Sequence, residues 1–173
     1  METEAAIETV QEGFTPLYIA AQEGHVAATK QLIEARCNVD LQDEHGCTPL
    51  FIAAEKGDAA VTELLIAARC NVDLQDKDGC TPLHDAAENG HSSVTEMLIE
   101  ARCNVDYEDK DGWTPLFVAA HNGHANVTIR HIDGRPGDNL PIPYLVTKHM
   151  VSGGNRVSCS KDASDEYLVI LIV

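Results

Sequence analysis

The chain has 173 residues, 44% of them hydrophobic but only 5% aromatic, so its core must come from Ala, Leu, Ile and Val, which suits close-packed helices better than a broad sandwich. Its formal charge is −16 and its pI is near 4.6, which argues against nucleic acid or an anionic membrane surface as a partner, because phosphates repel an acidic protein. A basic protein partner is compatible with that charge, and so is the plainer role of keeping the chain soluble.

Met1-Glu2-Thr3-Glu4 is acidic where a secretory signal is basic, and no apolar run comes after it. No stretch reaches the roughly 18 apolar residues that a membrane helix needs. The expected location is therefore cytoplasmic, with the nucleus as the alternative. Residues 1–12 are read as an N-terminal segment, and the acidic stretch 2–11 as a short helix able to cap the region that begins at residue 13.

From residue 13 a repeat takes over. Thr15-Pro16-Leu17 returns as Thr48-Pro49-Leu50, Thr81-Pro82-Leu83 and Thr114-Pro115-Leu116, each time after 33 residues. Ala20-Ala21 returns as Ala53-Ala54, Ala86-Ala87 and Ala119-Ala120. Gly13, Gly46, Gly79 and Gly112 keep the period, as do Gly24, Gly57, Gly90 and Gly123, and Arg36-Cys37-Asn38-Val39-Asp40 recurs at 69–73 and 102–106.

Each unit reads as a turn, two helices and a connector. Thr caps a helix start and Pro fits its first position, where a missing N–H costs nothing. The pattern predicts a first helix such as Pro49 to Glu55, closed by Gly57. A second helix comes next over roughly Ala59 to Ala68, where Val61, Leu64, Leu65 and Ile66 include helical spacing. An extended connector, Asn71 to Gln75, then leads to the turn Asp76-Lys77-Asp78-Gly79. One such pair cannot bury both its apolar faces, and stacked neighbours can.

The units are placed at 13–45, 46–78, 79–111 and 112–128, the last incomplete. Met97 and Leu98 of the third unit align with Arg130 and His131, which do not suit a buried face. Gly134, Pro136 and Gly137 then break any helix. The acidity also stops here: residues 1–127 hold 23 Asp/Glu and 7 Lys/Arg, and residues 128–173 hold 5 of each. Residues 129–173 are read as a non-repeat tail, partly disordered, whose origin in an alternative exon, a truncation or a misread gene is one explanation of the lost register.

These units resemble the ankyrin repeat, most closely at Gly79-Cys80-Thr81-Pro82-Leu83-His84-Asp85-Ala86-Ala87. The resemblance implies an all-α solenoid of stacked helix-turn-helix units with an irregular C-terminal tail. The chain departs from the family in two ways. Arg36, Arg69 and Arg102 stand where the family usually has a left-handed Gly, at about 1 kcal/mol each. The signature His survives only as His84, with Tyr18, Phe51 and Phe117 elsewhere.

In that family the turn tips and the exposed side of the first helices form a concave binding face. By alignment this face comprises Gln42, Glu44, His45, Cys47, Glu55 and Lys56 in the second unit. In the third it comprises Gln75, Lys77, Asp78, Cys80, Glu88 and Asn89, and in the fourth Glu108, Lys110, Asp111, Trp113, His121 and Asn122. Trp113, the only Trp, is either a binding anchor or a ring packed on its own turn or the tail. The charged tips read equally as solvated turns.

Catalysis and cofactors are not expected: no P-loop, G-x-G-x-x-G or nucleophile–base pair occurs. Metal is not expected either. No C-x-x-C is present, and His121 and His124 flank a helix-ending Gly123. Cys37, Cys70 and Cys103 occupy one repeat position and Cys47 and Cys80 another, too far apart for a disulfide between stacked units and better read as small buried side chains. The expected function is recognition of a protein by a monomeric adaptor or inhibitor. The alternative is a targeting or regulatory fragment of a larger signalling enzyme, such as a kinase or ubiquitin ligase.

Overall fold

A computed structural model describes residues 14–124 and residue 126. The expected cap at 1–12 and tail at 129–173 lie outside the described residues, as do Arg130 and His131. Within them the chain forms seven helices: α1 (Pro16–Gln22), α2 (Val26–Glu34), α3 (Pro49–Lys56), α4 (Ala59–Ala67), α5 (Pro82–Glu88), α6 (Ser92–Glu100) and α7 (Pro115–His121). The fold is all-α.

The first helices pack in one row, α1 on α3 on α5 on α7, and the second helices in another, α2 on α4 on α6. Each first helix begins with Pro behind an extended Thr. The Thr15 Oγ1 accepts from the Tyr18 N–H at 3.1 Å, Thr48 from Phe51 at 3.2 Å and Thr114 from Phe117 at 3.3 Å. Such caps are worth about 1 kcal/mol each.

The Ala pairs let this row close up. Ala21, Ala53, Ala54, Ala86, Ala87 and Ala119 have no solvent exposure, whereas larger side chains would hold the helices apart. The second row supplies the bulk: Val61, Leu65, Val94 and Leu98 are sealed, each such side chain contributing about 1.5–3 kcal/mol. Between them, Thr29, Thr62 and Thr95 are fully buried with unpartnered hydroxyls.

Arg36, Arg69 and Arg102 adopt φ of 60°, 62° and 63°, so the left-handed cap is kept without glycine. The Arg36 N–H donates to Ile33 O at 2.9 Å and the Cys37 N–H to Leu32 O at 3.3 Å, and the same pair recurs after α4 and α6. Two hydrogen bonds and a Cys turned inward thus offset the strain. The connector is less extended than the sequence suggests. Val72-Asp73 is a turn, because the Asn71 side-chain oxygen accepts from the Asp73 N–H at 3.1 Å.

Candidate functional site

The turn tips line up through their own backbone. Asp43 Oδ1 accepts from the His45 and Cys47 N–H groups, both at 2.8 Å. Asp76 does the same for Asp78 and Cys80, and Asp109 for Asp111 and Trp113. Successive tips are joined by the Lys77 N–H on His45 O at 2.8 Å and the Lys110 N–H on Asp78 O at 2.9 Å. The variable side chains therefore ride on a fixed ladder.

Of the residues expected on this face, Glu44, His45, Lys77, Asp78, Glu108, Lys110 and Asp111 are exposed at the tips. Lys56, Glu88, Asn89, His121 and Asn122 are exposed at the far ends of the first helices, with Glu55 half-buried. Several are engaged. Lys56 pairs with Glu55 at 2.9 Å and Lys110 with Asp78 at 3.8 Å. Gln42 donates to Gly46 O at 2.7 Å and Gln75 O at 3.0 Å, and Gln75 to Gly79 O at 2.7 Å. Asn122 donates to Glu88 O at 3.1 Å. The Gln42, Gln75 and Asn122 amides hold the frame as well as facing solvent.

Trp113 is half-buried on its own unit. Its ring lies 4.7 Å from Phe117 and 5.2 Å from His121, and the Phe117 and His121 rings are parallel within 8°. The sequence allows an anchor or a packed ring, and the structure supplies the packing while leaving part of the indole open. Phe117 escapes sequence reasoning as a surface residue because its counterparts in the repeat, Phe51 and His84, are buried. A second ring pair, Phe14 and Tyr18 at 4.9 Å, marks the first unit.

His84 joins the third unit to the fourth. The Thr81 N–H donates to Nδ1 at 3.0 Å, so Nε2 carries the proton and donates to Trp113 O at 3.1 Å. Burial holds its pKa below the usual histidine value, which keeps this neutral arrangement. His91 and His124 make comparable bridges, each Nε2 lying 2.9 Å from a carbonyl of the preceding unit, Glu55 O and Glu88 O. Sequence reasoning misses these two; their signal is recurrence at the position after the helix-ending Gly.

Asp85 is missed as well, although its column reads Ile19, Ile52, Asp85 and Val118. Its carboxyl is partly buried, and desolvation together with Glu55, Glu88 and Asp76 pushes its pKa up to about 8. Burial and nearby carboxylates also push the Cys47 and Cys80 thiols up to about 12, which leaves them protonated and unreactive. Cys47, Cys70, Cys80 and Cys103 are free thiols. Among the described residues no three His, Cys, Asp or Glu side chains gather as metal ligands would, and no helix is long and apolar enough to cross a membrane.

The family model for ankyrin repeats (3 copies) matches residues 2–76 and 51–129. No curated protein matches the chain.

Proposed function

Because the chain belongs to the ankyrin-repeat family, whose members are generally non-catalytic protein-interaction modules, we propose that it binds another protein through the concave face of its turn tips and first helices. The tip ladder carries this reading. Recurring Asp side chains and backbone bonds fix the turns, while the side chains presented from them change along the stack, from Glu44 and His45 to Lys77 and Asp78, and from Cys47 and Cys80 to Trp113. A surface held rigid while its chemistry varies suits recognition, since little ordering entropy is lost on binding. Trp113 is its anchor, being large, partly open and already oriented by Phe117 and His121. The module acts as a monomeric adaptor or inhibitor in the cytoplasm or nucleus, without a cofactor, and does not take nucleic acid or membrane as its partner.

The test places a photo-crosslinking amino acid at Lys77 on the tips and, separately, at exposed Glu63 on α4. A partner trapped from Lys77 and not from Glu63 is expected. The same products from both positions, or products from Glu63 alone, would overturn the assignment of the face.

A further inference from the structure

We propose that residues 3–10 of the chain itself seat as a short helix in the apolar hollow on the open side of the first unit, with Ile7 and Val10 against Ile19. The hollow holds about 530 Å³ between α1 and α2 and is bordered by Pro16, Ile19, Ala20, His25 and Leu32. It lies where an earlier unit would stack. Ile52, one repeat on from Ile19, is 6% exposed where α1 packs on α3, whereas Ile19 is 43% exposed. Among the described residues Ile19 and Val26 are the large apolar side chains left open, and both belong to this unit. A cover for them gains what the later units gain from one another.

The chain carries a segment of the right kind at the right place. Thirteen residues precede Phe14, and they join α1 through Thr15 and Pro16, at the rim of the hollow. Thr3-Glu4-Ala5-Ala6-Ile7-Glu8 matches Thr95-Glu96-Met97-Leu98-Ile99-Glu100 of α6 at four of six positions. The two differences are to Ala, the residue on which the helices of this stack approach closely. In helical spacing Thr3, Ala6, Ile7 and Val10 share one side, and Glu4, Glu8 and Gln11 share the other. The ankyrin-repeat match also reaches back to residue 2, ahead of the first turn.

Spacing sets where the segment sits. From Thr29, Thr62 and Thr95 to the next turn glycine is 17 residues each time, whereas from Thr3 to Gly13 it is 10. The shorter connector limits the reach of the chain and draws the segment toward α1, over Ile19 and Ala20, with Leu32 left at the rim. His25 supplies a further contact. Among the described residues its ring lacks the carbonyl that His91 and His124 hold, and the last turn of a helix leaves carbonyls unpaired.

A photo-crosslinking amino acid at Ile7 of the full chain, followed by digestion and mass analysis, should join residue 7 to peptides of α1 and α2. The same group at Glu4 should not. With labelled and unlabelled chains mixed, each joined product should carry one label. Mixed labels would give the hollow to a second copy and overturn the proposal, as would products elsewhere in the chain or none at all. Ile7→Gln and Ile19→Gln give an independent readout. Each should lower the melting midpoint by about 4 °C, because each removes one side of the contact. Together they should lower it no further than either alone, since the first change already releases the segment. Losses that add, or an unchanged midpoint, would overturn the contact.

Discussion

Leu65 and Leu98 are sealed from solvent, whereas Leu32, at the same position of the first unit, is half-buried, and Gln31 beside it is exposed. Val61 and Val94 are likewise sealed, and their counterpart is the smaller, half-buried Ala28. The local helices are alike; what differs, among the described residues, is the unit packed in front. A residue of this array is core because a preceding neighbour covers it, so burial belongs to the interface between units and not to the unit. The sequence has already adjusted, with Gln31 standing where Leu64 and Met97 stand further on.

The sharpest way to break this comparison is to truncate the equivalent leucines. Leu65→Ala should cost about 3 kcal/mol, as removal of a sealed side chain does, and Leu32→Ala less than half of that. Urea unfolding of the two variants checks it, and equal losses would mean that the first unit is covered as well as the second.

Glycine gives the next test. At Gly57, φ is +69° and an added Cβ would lie 2.5 Å from the His91 ring, so Gly57→Ala should cost about 2 kcal/mol and loosen the second and third units together. At Gly123, φ is +78° with nothing described within 4 Å, so Gly123→Ala should cost only the backbone strain, about 1 kcal/mol. Thermal melts of both variants separate steric contact between units from strain within one.

The smallest effect compares the third unit with its neighbours through pH. Asp85 has a folded pKa of about 8 against an ordinary value of 3.8, so between these the folded state holds a proton that the unfolded chain has lost. Its contribution to stability is present below the lower value and is lost as pH rises toward 8. His84 behaves in the opposite sense. Its pKa is lowered on folding, so its contribution is full above about 6.5, the unperturbed histidine value, and falls away on acidification. Asp85→Val should therefore melt higher than the parent by a margin that widens between pH 5 and pH 8, by about 1 kcal/mol once solvent screening of a partly exposed carboxyl is allowed for. Melting curves across that range test it, and a constant margin would remove the assignment.

Much of the fold is legible in the sequence because the repeat sets its elements by local chemistry. Thr-Pro places every first helix, and Gly57 marks the end of α3 within a residue. The candidate face is legible only as positions. Alignment puts Gln42 and Gln75 at the tips, but it cannot show that their amides reach turn carbonyls, since those contacts depend on side-chain angles and on the next unit. Trp113 is visible as a solitary aromatic, while its stacking on Phe117 and His121 needs the helix turns to bring positions 113, 117 and 121 onto one side. Asp85 stands in plain view in its column, and the variable turn tips draw attention away from it. The buried, unpartnered hydroxyls of Thr29, Thr62 and Thr95 carry no signal that distinguishes them from surface Thr.

The histidine bridges give the stack a direction of growth. His91 and His124 each reach back to a carbonyl of the unit before, so at these two junctions the later member brings this latch, while Asp58 stands in its place at the first. His25 holds the equivalent place in the first unit and borders an apolar hollow of about 530 Å³ with Pro16, Ile19, Ala28 and Leu32. A module spliced ahead of residue 14 would find its half of the joint already made: it need offer only a small-residue helix and an open carbonyl, whereas a module added at the other end must bring its own latch.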